Sequence, residues 1–227
     1  AALVFGLWYP YPYREISGGR DLFLLLVGVD VVMGPLITLA IFNRDKPRRE
    51  LVLDLSVVGL LQLAALGYGI WTVAAARPVH LMFEYHRMAV VRAADVDPAT
   101  LSQAAPALRA LPLTGPTLLS LRPFKDGNEQ YDSTMLAMGG VPQAAQPALW
   151  QAWDAARADI LKESQPVAQL KQRFGAQAAL IDSAIAATGR PADALRYLPL
   201  LGRKKDWTVL IDLQSTKPVG FLPLDSF

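Results

Sequence analysis

No cysteine occurs anywhere in the 227 residues. That excludes disulfides, thiolate metal ligands and thiol nucleophiles, so the fold must be held by packing alone. Histidine is nearly as scarce: His80 and His86 stand alone, and no HExxH motif sets two of them at zinc-binding spacing. Both fall in or beside an apparent strand pair, where exposed strand positions are the simplest account. No GxSxG marks an elbow serine, and no glycine-rich loop is present to cradle phosphate. Charge is sparse, 19% of residues with a formal net of +2. Past Arg77 the basic and acidic residues nearly balance, without the Lys/Arg run of a nucleic-acid footprint. These absences predict no metal, no cofactor, no nucleic-acid partner and no catalytic residue.

What the chain does have is two long apolar runs. Residues 22–42 (LFLLLVGVDVVMGPLITLAIF) carry one charge, Asp30, and residues 55–76 (LSVVGLLQLAALGYGIWTVAAA) carry none. Each is near the roughly 20 apolar residues that a helix needs to cross the hydrocarbon core. Two such helices joined by a short polar loop would expose a large apolar surface in water, so the bilayer is the expected solvent. The opening AALVFGL runs into Trp8 and Tyr9, rings that collect at membrane interfaces. We read residues 1–9 as the end of a first transmembrane helix, against a cleaved signal peptide, because the run continues into aromatics rather than a small-residue cleavage site.

The loop 43–54 holds Arg44, Lys46, Arg48 and Arg49 against three acidic residues. Short loops rich in Lys and Arg stay cytoplasmic. The second span then runs inward, the third outward, and residues 77–227 lie on the far side, the periplasm of a Gram-negative cell.

Those distal residues read as one α+β domain with a small antiparallel sheet. Residues 79–84 and 88–93 are apolar and β-branched around Tyr85-His86-Arg87, a hairpin. Asp97-Pro98 is an N-cap followed by proline at the first helical position, predicting a short helix over 99–111. Residues 113–127, with Pro116 and Pro123, read as an irregular crossing. A helix is expected over 128–138, ended by Gly139-Gly140. Another is expected from Pro147 through Glu163, with Leu149, Trp150, Trp153, Ala156 and Ile160 near helical spacing; Trp150 and Trp153 are core candidates. Residues 166–174 continue it, and 176–187 form a last helix ending at Thr188-Gly189. Residues 207–213 (WTVLIDL) and 218–222 form a closing hairpin.

Asp30 is the residue that asks for a function. An ionisable group inside a membrane helix costs several kcal/mol unless paired or hydrogen-bonded, and is by default a functional candidate. At a rise of about 1.5 Å per residue it lies ~12 Å below Leu22, level with Tyr68, whose phenol is a candidate partner. Gln62 comes level with Pro35, which lacks an N–H and frees a carbonyl one turn back near Val31; Gln62 is placed to satisfy it. Gly34 adjoins that break. Gly59, Ala64, Ala65, Gly67 and Gly69 are small residues on the last span, with Ala65-x-x-x-Gly69 a pair that lets helices approach closely. Packing within this protein is the plainer use of such residues; docking of a partner's helix is the sharper one. An intramembrane aspartyl peptidase would need a second membrane carboxylate. Asp54 belongs to the opposite face, and Gly28-Val29-Asp30 lacks GxGD.

The run GVDVVMGPLITLAIF, the basic loop and LDLSVVGLLQLAALGYGIWTVAAARPV resemble the TfpX/TfpZ-type type IV pilin accessory proteins. Trp8-Tyr9-Pro10, Gly18-Gly19 and the closing strand-turn-strand around Val219-Gly220-Phe221 fit as well. One departure is the Tyr85-His86 turn, where a glycine is expected. The resemblance implies three membrane helices, a periplasmic C-terminal domain and a non-enzymatic chaperone that stabilises a cognate type IV pilin in the inner membrane, alone or with other pilus assembly proteins. It transfers no catalytic residue. A partner-binding patch of Asp30, Gln62, Tyr68, Gly34, Pro35, Ala65 and Gly69 is the resulting expectation. A membrane-anchored periplasmic sensor or scaffold is the alternative, with an intramembrane aspartyl enzyme less favoured.

Overall fold

The computed structural model describes residue 2 and residues 4–41, 47–203 and 205–227; the side chains of residues 30, 40 and 41 are not among them. Two helices dominate the first third. α1 is a single turn, Tyr13–Ile16, α2 spans Gly19–Ile41 and α3 spans Arg48–Ala75. Both α2 and α3 are long and apolar enough to cross a membrane, and most of their side chains are exposed. At about 1.5 Å per residue they measure ~35 and ~42 Å. α3 begins seven residues earlier than hydropathy suggested, because Arg48, Arg49 and Glu50 are good helix formers and Pro47 sits just outside, at the N-cap. It ends where Pro78 forces the preceding residue out of helical backbone. There the Arg77 guanidinium donates to the Ala74 carbonyl at 2.7 Å and to Pro112 at 3.3 Å, satisfying an exposed end of the helix.

Of the three transmembrane helices expected, the described residues support two at most. Val4–Trp8 is one π-helical turn closed by Tyr9 N–H to the Val4 carbonyl at 2.7 Å. Among the described residues only α2 and α3 qualify as spans. Tyr9 is not an interfacial aromatic either. It is fully buried, and its hydroxyl donates to the Val73 carbonyl at 3.0 Å. The chain then feeds Ile16 into the core of the distal sheet, with Tyr13 packed beside it and edge-on to Phe221. The Arg203 N–H donates to the Ile16 carbonyl at 3.1 Å.

The sheet is larger than the small antiparallel one expected, and it is mixed. Its strands are β1 (Pro78–Glu84), β2 (Arg87–Arg92), β3 (Thr117–Leu121), β4 (Trp150–Ala152), β5 (Gln165–Pro166), β6 (Leu195–Leu201), β7 (Trp207–Asp212) and β8 (Pro218–Leu222). They run in the order β4-β3-β1-β2-β6-β7-β8, with β5 beside β6. The two anticipated hairpins, β1–β2 and β7–β8, are present and antiparallel. β3 lies parallel to β1, so the predicted irregular crossing contains a strand. β2 and β6 join the halves in parallel through two residue pairs only, Met88↔Leu200 and Ala89↔Leu201.

Both faces of the sheet are covered. Leu81, Phe83 and Met88 enter one core with Trp153, Ile160 and Val209; Val79, Met82, Ala89 and Val91 enter another with Trp150. A register shift between Pro78 and His80 turns Val79 to the same side as Met82, as a bulge does. α4 (Gly127–Met138) forms as expected, capped by Asp126, whose carboxylate accepts from Glu129 N–H at 2.8 Å. The predicted helix over 99–111 is instead two 3-10 turns, Pro98–Gln103 and Pro106–Leu108, because Pro106 interrupts the ladder. The predicted helix over 147–163 divides into two 3-10 turns, Pro147–Leu149 and Trp153–Ala156, with β4 between them, and α5 (Arg157–Glu163), since Trp150 pairs with Leu121 on the sheet edge. Trp150 and Trp153 are buried all the same. α6 (Val167–Arg173) is separate, and α7 (Ala178–Thr188) ends at Gly189 with a φ of 67°.

His86 is exposed in the turn, but His80 is buried, contrary to expectation. Its Nδ1 lies 2.8 Å from the Thr117 hydroxyl and its ring meets Trp150 edge-on at 4.8 Å. Burial lowers its pKa from 6.5 to about 4. The unfolded chain therefore takes up this proton first as pH falls. The contribution is complete above pH 6.5 and is lost on acidification toward pH 4, about 3 kcal/mol in all. Unfolding followed from pH 7 to pH 4 should show this loss, and His80→Asn should flatten it.

Candidate functional site: the groove between the two long helices

The facing side of α3 is a stripe. Val58, Gln62, Ala65, Gly69 and Val73 recur at spacings of three and four, which stack on one helix face. Val58, Gly69 and Val73 are buried. At Gly69 the helices touch: a Cβ there would overlap the end of the Leu26 side chain, so the missing side chain sets the approach. Further along the pair they part and enclose a groove of about 1020 Å³, open on one side.

Among the described residues, one polar side chain of α3 reaches across this groove. The Gln62 Nε2 donates to the Gly34 carbonyl at 3.2 Å, and the Thr38 hydroxyl donates to the same oxygen at 2.9 Å. Depth arithmetic placed Gln62 level with Pro35 but aimed it near Val31; the amide takes Gly34 instead. Glycine permits this, because a Cβ at residue 34 would lie 3.2 Å from the Gln62 Nε2.

Of the residues singled out from sequence, Gly34, Pro35, Gln62 and Ala65 line the groove, and Gly69 sits at the contact beyond it. Tyr68 is not among the lining residues. It is 69% exposed, with its ring tilted against Trp71 at 5.8 Å. The Asp30 side chain, and so its pairing with Tyr68, lies outside the described residues. Its backbone position is on the face of Met33, Gly34 and Ile37, three, four and seven residues further, all of which line the groove. Thr38, Val58 and Met33 were missed; the four-residue step from Gly34 to Thr38 was the available signal. No charged residue is among the described lining residues, and no His/Asp/Glu group there or elsewhere among the described residues is arranged to hold a metal.

A fimbrial assembly protein FimB model matches residues 1–18, the segment that buries Tyr9 and Ile16. The fimbrial assembly protein of serogroup I from Dichelobacter nodosus is 35% identical over 214 residues, covering 93% of this chain and 83% of that protein. The chain belongs to the fimbrial assembly protein family. The serogroup E1 protein of the same organism is 33% identical over the same coverage, and the serogroups C1 and C2 protein is 38% identical over 96 residues. No solved structure matches. Among these fimbrial assembly proteins, the alignment with the serogroup I and E1 members covers nearly the whole chain, helices and sheet included.

The contact at Gly69 gives a direct test. Gly69→Ile should force α2 and α3 apart and lower the unfolding temperature in detergent by several degrees. Gly67→Ala, where a Cβ meets nothing within 4 Å, should leave it unchanged or slightly higher, since alanine is the better helix former by up to about 1 kcal/mol.

Proposed function

We propose that this chain is a non-enzymatic accessory protein of type IV pilus biogenesis, within the TfpX/TfpZ type, that binds and stabilises a cognate pilin before its assembly. In this reading α2 and α3 cross the bacterial inner membrane and the sheet stands in the periplasm, the orientation that basic residues between the two spans favour. Membership of the fimbrial assembly family supports a role in fimbrial biogenesis. The observation that carries the finer proposal is the groove between α2 and α3, apolar in its described lining and crossed by the Gln62–Gly34 hydrogen bond. A pilin waiting in the membrane has an apolar helix to shelter, and the apolar lining of this groove offers it packing. Asp30, on the groove face of α2, would meet a polar group of that helix at roughly 12 Å depth.

Asp30→Ala should reduce steady-state pilin several-fold and reduce piliation, with the abundance of this protein unchanged. Co-purification of pilin in mild detergent should fall in parallel. Normal pilin levels and normal pili in that variant would sink the proposal.

A further inference from the structure

A second cavity lies on the sheet, at the tip of the β1–β2 hairpin, with a volume of about 520 Å³. Phe83, Leu121, Pro123 and Phe124 give it apolar walls, and the Tyr85 ring packs on Phe124 at 5.6 Å. Its charged lining is acidic: Asp159 and Glu163, one turn apart on α5. The neighbouring cations are turned to other work. Arg122 is held by both carboxylate oxygens of Glu129 at 2.8 and 2.6 Å, and Arg87 by Glu84 at 2.8 Å. Lys162 lies 3.5 Å from Glu163 but is largely exposed, and Asp159 forms no ion pair among the described residues.

The Tyr85 hydroxyl is closed off from solvent and has no hydrogen-bond partner among the described residues. An orphaned polar group of this kind costs about 1–3 kcal/mol. The residue is also strained. Tyr85 has a φ of 58°, and the turn is closed by His86 N–H to the Glu84 carbonyl at 2.7 Å, a γ-turn bond. Glycine would relieve that backbone; the chain spends the position on a tyrosine that faces this cavity.

We propose that the cavity receives one basic side chain, Arg or Lys, carried by a partner polypeptide lying along α4. The chemistry is complementary throughout. The carboxylates only accept hydrogen bonds, the phenol oxygen accepts as well, and an ammonium or guanidinium donates several. The Phe124 and Tyr85 faces attract a cation, while Phe83 and Leu121 pack its aliphatic stem. That the cation comes on a polypeptide follows from α4, whose Gln130 lines the cavity. The next residues on its outer face, Tyr131, Met135 and Met138, are 63, 42 and 78% exposed. They stand four and three residues apart, one apolar strip leading from the cavity, of the aromatic and methionine composition that protein interfaces favour. This site is independent of the membrane groove and does not rest on the pilin reading.

The test uses the full chain in mild detergent and three probes: a pentapeptide with arginine flanked by leucines, the same peptide with neutral citrulline in its place, and agmatine, the bare cationic side chain. The arginine peptide should bind at least tenfold more tightly than either. Asp159→Asn with Glu163→Gln should abolish that binding. Tyr85→Phe should weaken it several-fold while the unfolding temperature holds or rises, which a purely structural hydroxyl would not do. Met135→Asp should weaken the peptide and leave agmatine unaffected. Equal binding of the arginine and citrulline peptides, no binding of either, or undiminished binding by the doubly neutralised variant overturns the proposal. Agmatine binding as tightly as the peptide overturns the polypeptide occupant in favour of a small amine.

Discussion

The buried Tyr9 side chain ties together three parts of the molecule that would otherwise be independent. Its hydroxyl holds the Val73 carbonyl near the end of α3. Its ring lies over Gly19, the first residue of α2, where any Cβ would overlap it. The chain that follows it sends Ile16 into the sheet core and accepts a hydrogen bond from Arg203. The two helices therefore leave the sheet at one place and one spacing. The contact of Leu26 with Gly69 then comes next along the pair, and the groove opens beyond it. A membrane hairpin on a flexible linker would have no reason to keep that shape.

Much of this architecture was legible, for definite reasons. The spans were plain because every turn of α2 and α3 is apolar, and only a bilayer or a large core accepts such a helix. The hairpins and α7 were plain because local chemistry specifies them: β-branched runs around a turn, and a glycine in left-handed backbone after Thr188. The failures share a cause. Leu149, Trp150, Trp153 and Ile160 fit a helical period, but Trp150 was claimed by Leu121 of β3, far earlier in the chain. Pairing across the fold overrides local period, and it cannot be read locally. β6 escaped notice with Pro199 in its middle, and β1 and β7 are apolar on both faces because both are covered.

The site divides the same way. Counting helical rise placed Gln62 opposite the Pro35 break and missed only which carbonyl it takes, because the two helices are near enough to antiparallel for depth to be additive. Tyr68 was level with Asp30 by the same count, yet depth fixes height and not azimuth, and Tyr68 stands out of the groove against Trp71. The hairpin cavity was beyond any such count. Phe83, Phe124 and Asp159 are brought together by the order of the strands, and nothing within a dozen residues of any one of them announces the others. Tyr85 alone gave a hint, as a large residue where a glycine was expected.

The seam between β2 and β6 gives the sheet a mechanical character. Four strands on each side, β5 counted with β6, meet over two residue pairs, whereas β6 and β7 share six. Shear resistance in a sheet scales with the ladder that must break at once, so the seam is its compliant line, with a shared apolar core beneath it acting as the bearing. The N-terminal segment enters beside this line, Ile16 bonded to Arg203 just past the end of β6. Load carried down α2 would thus arrive at the line along which the two halves hold each other least.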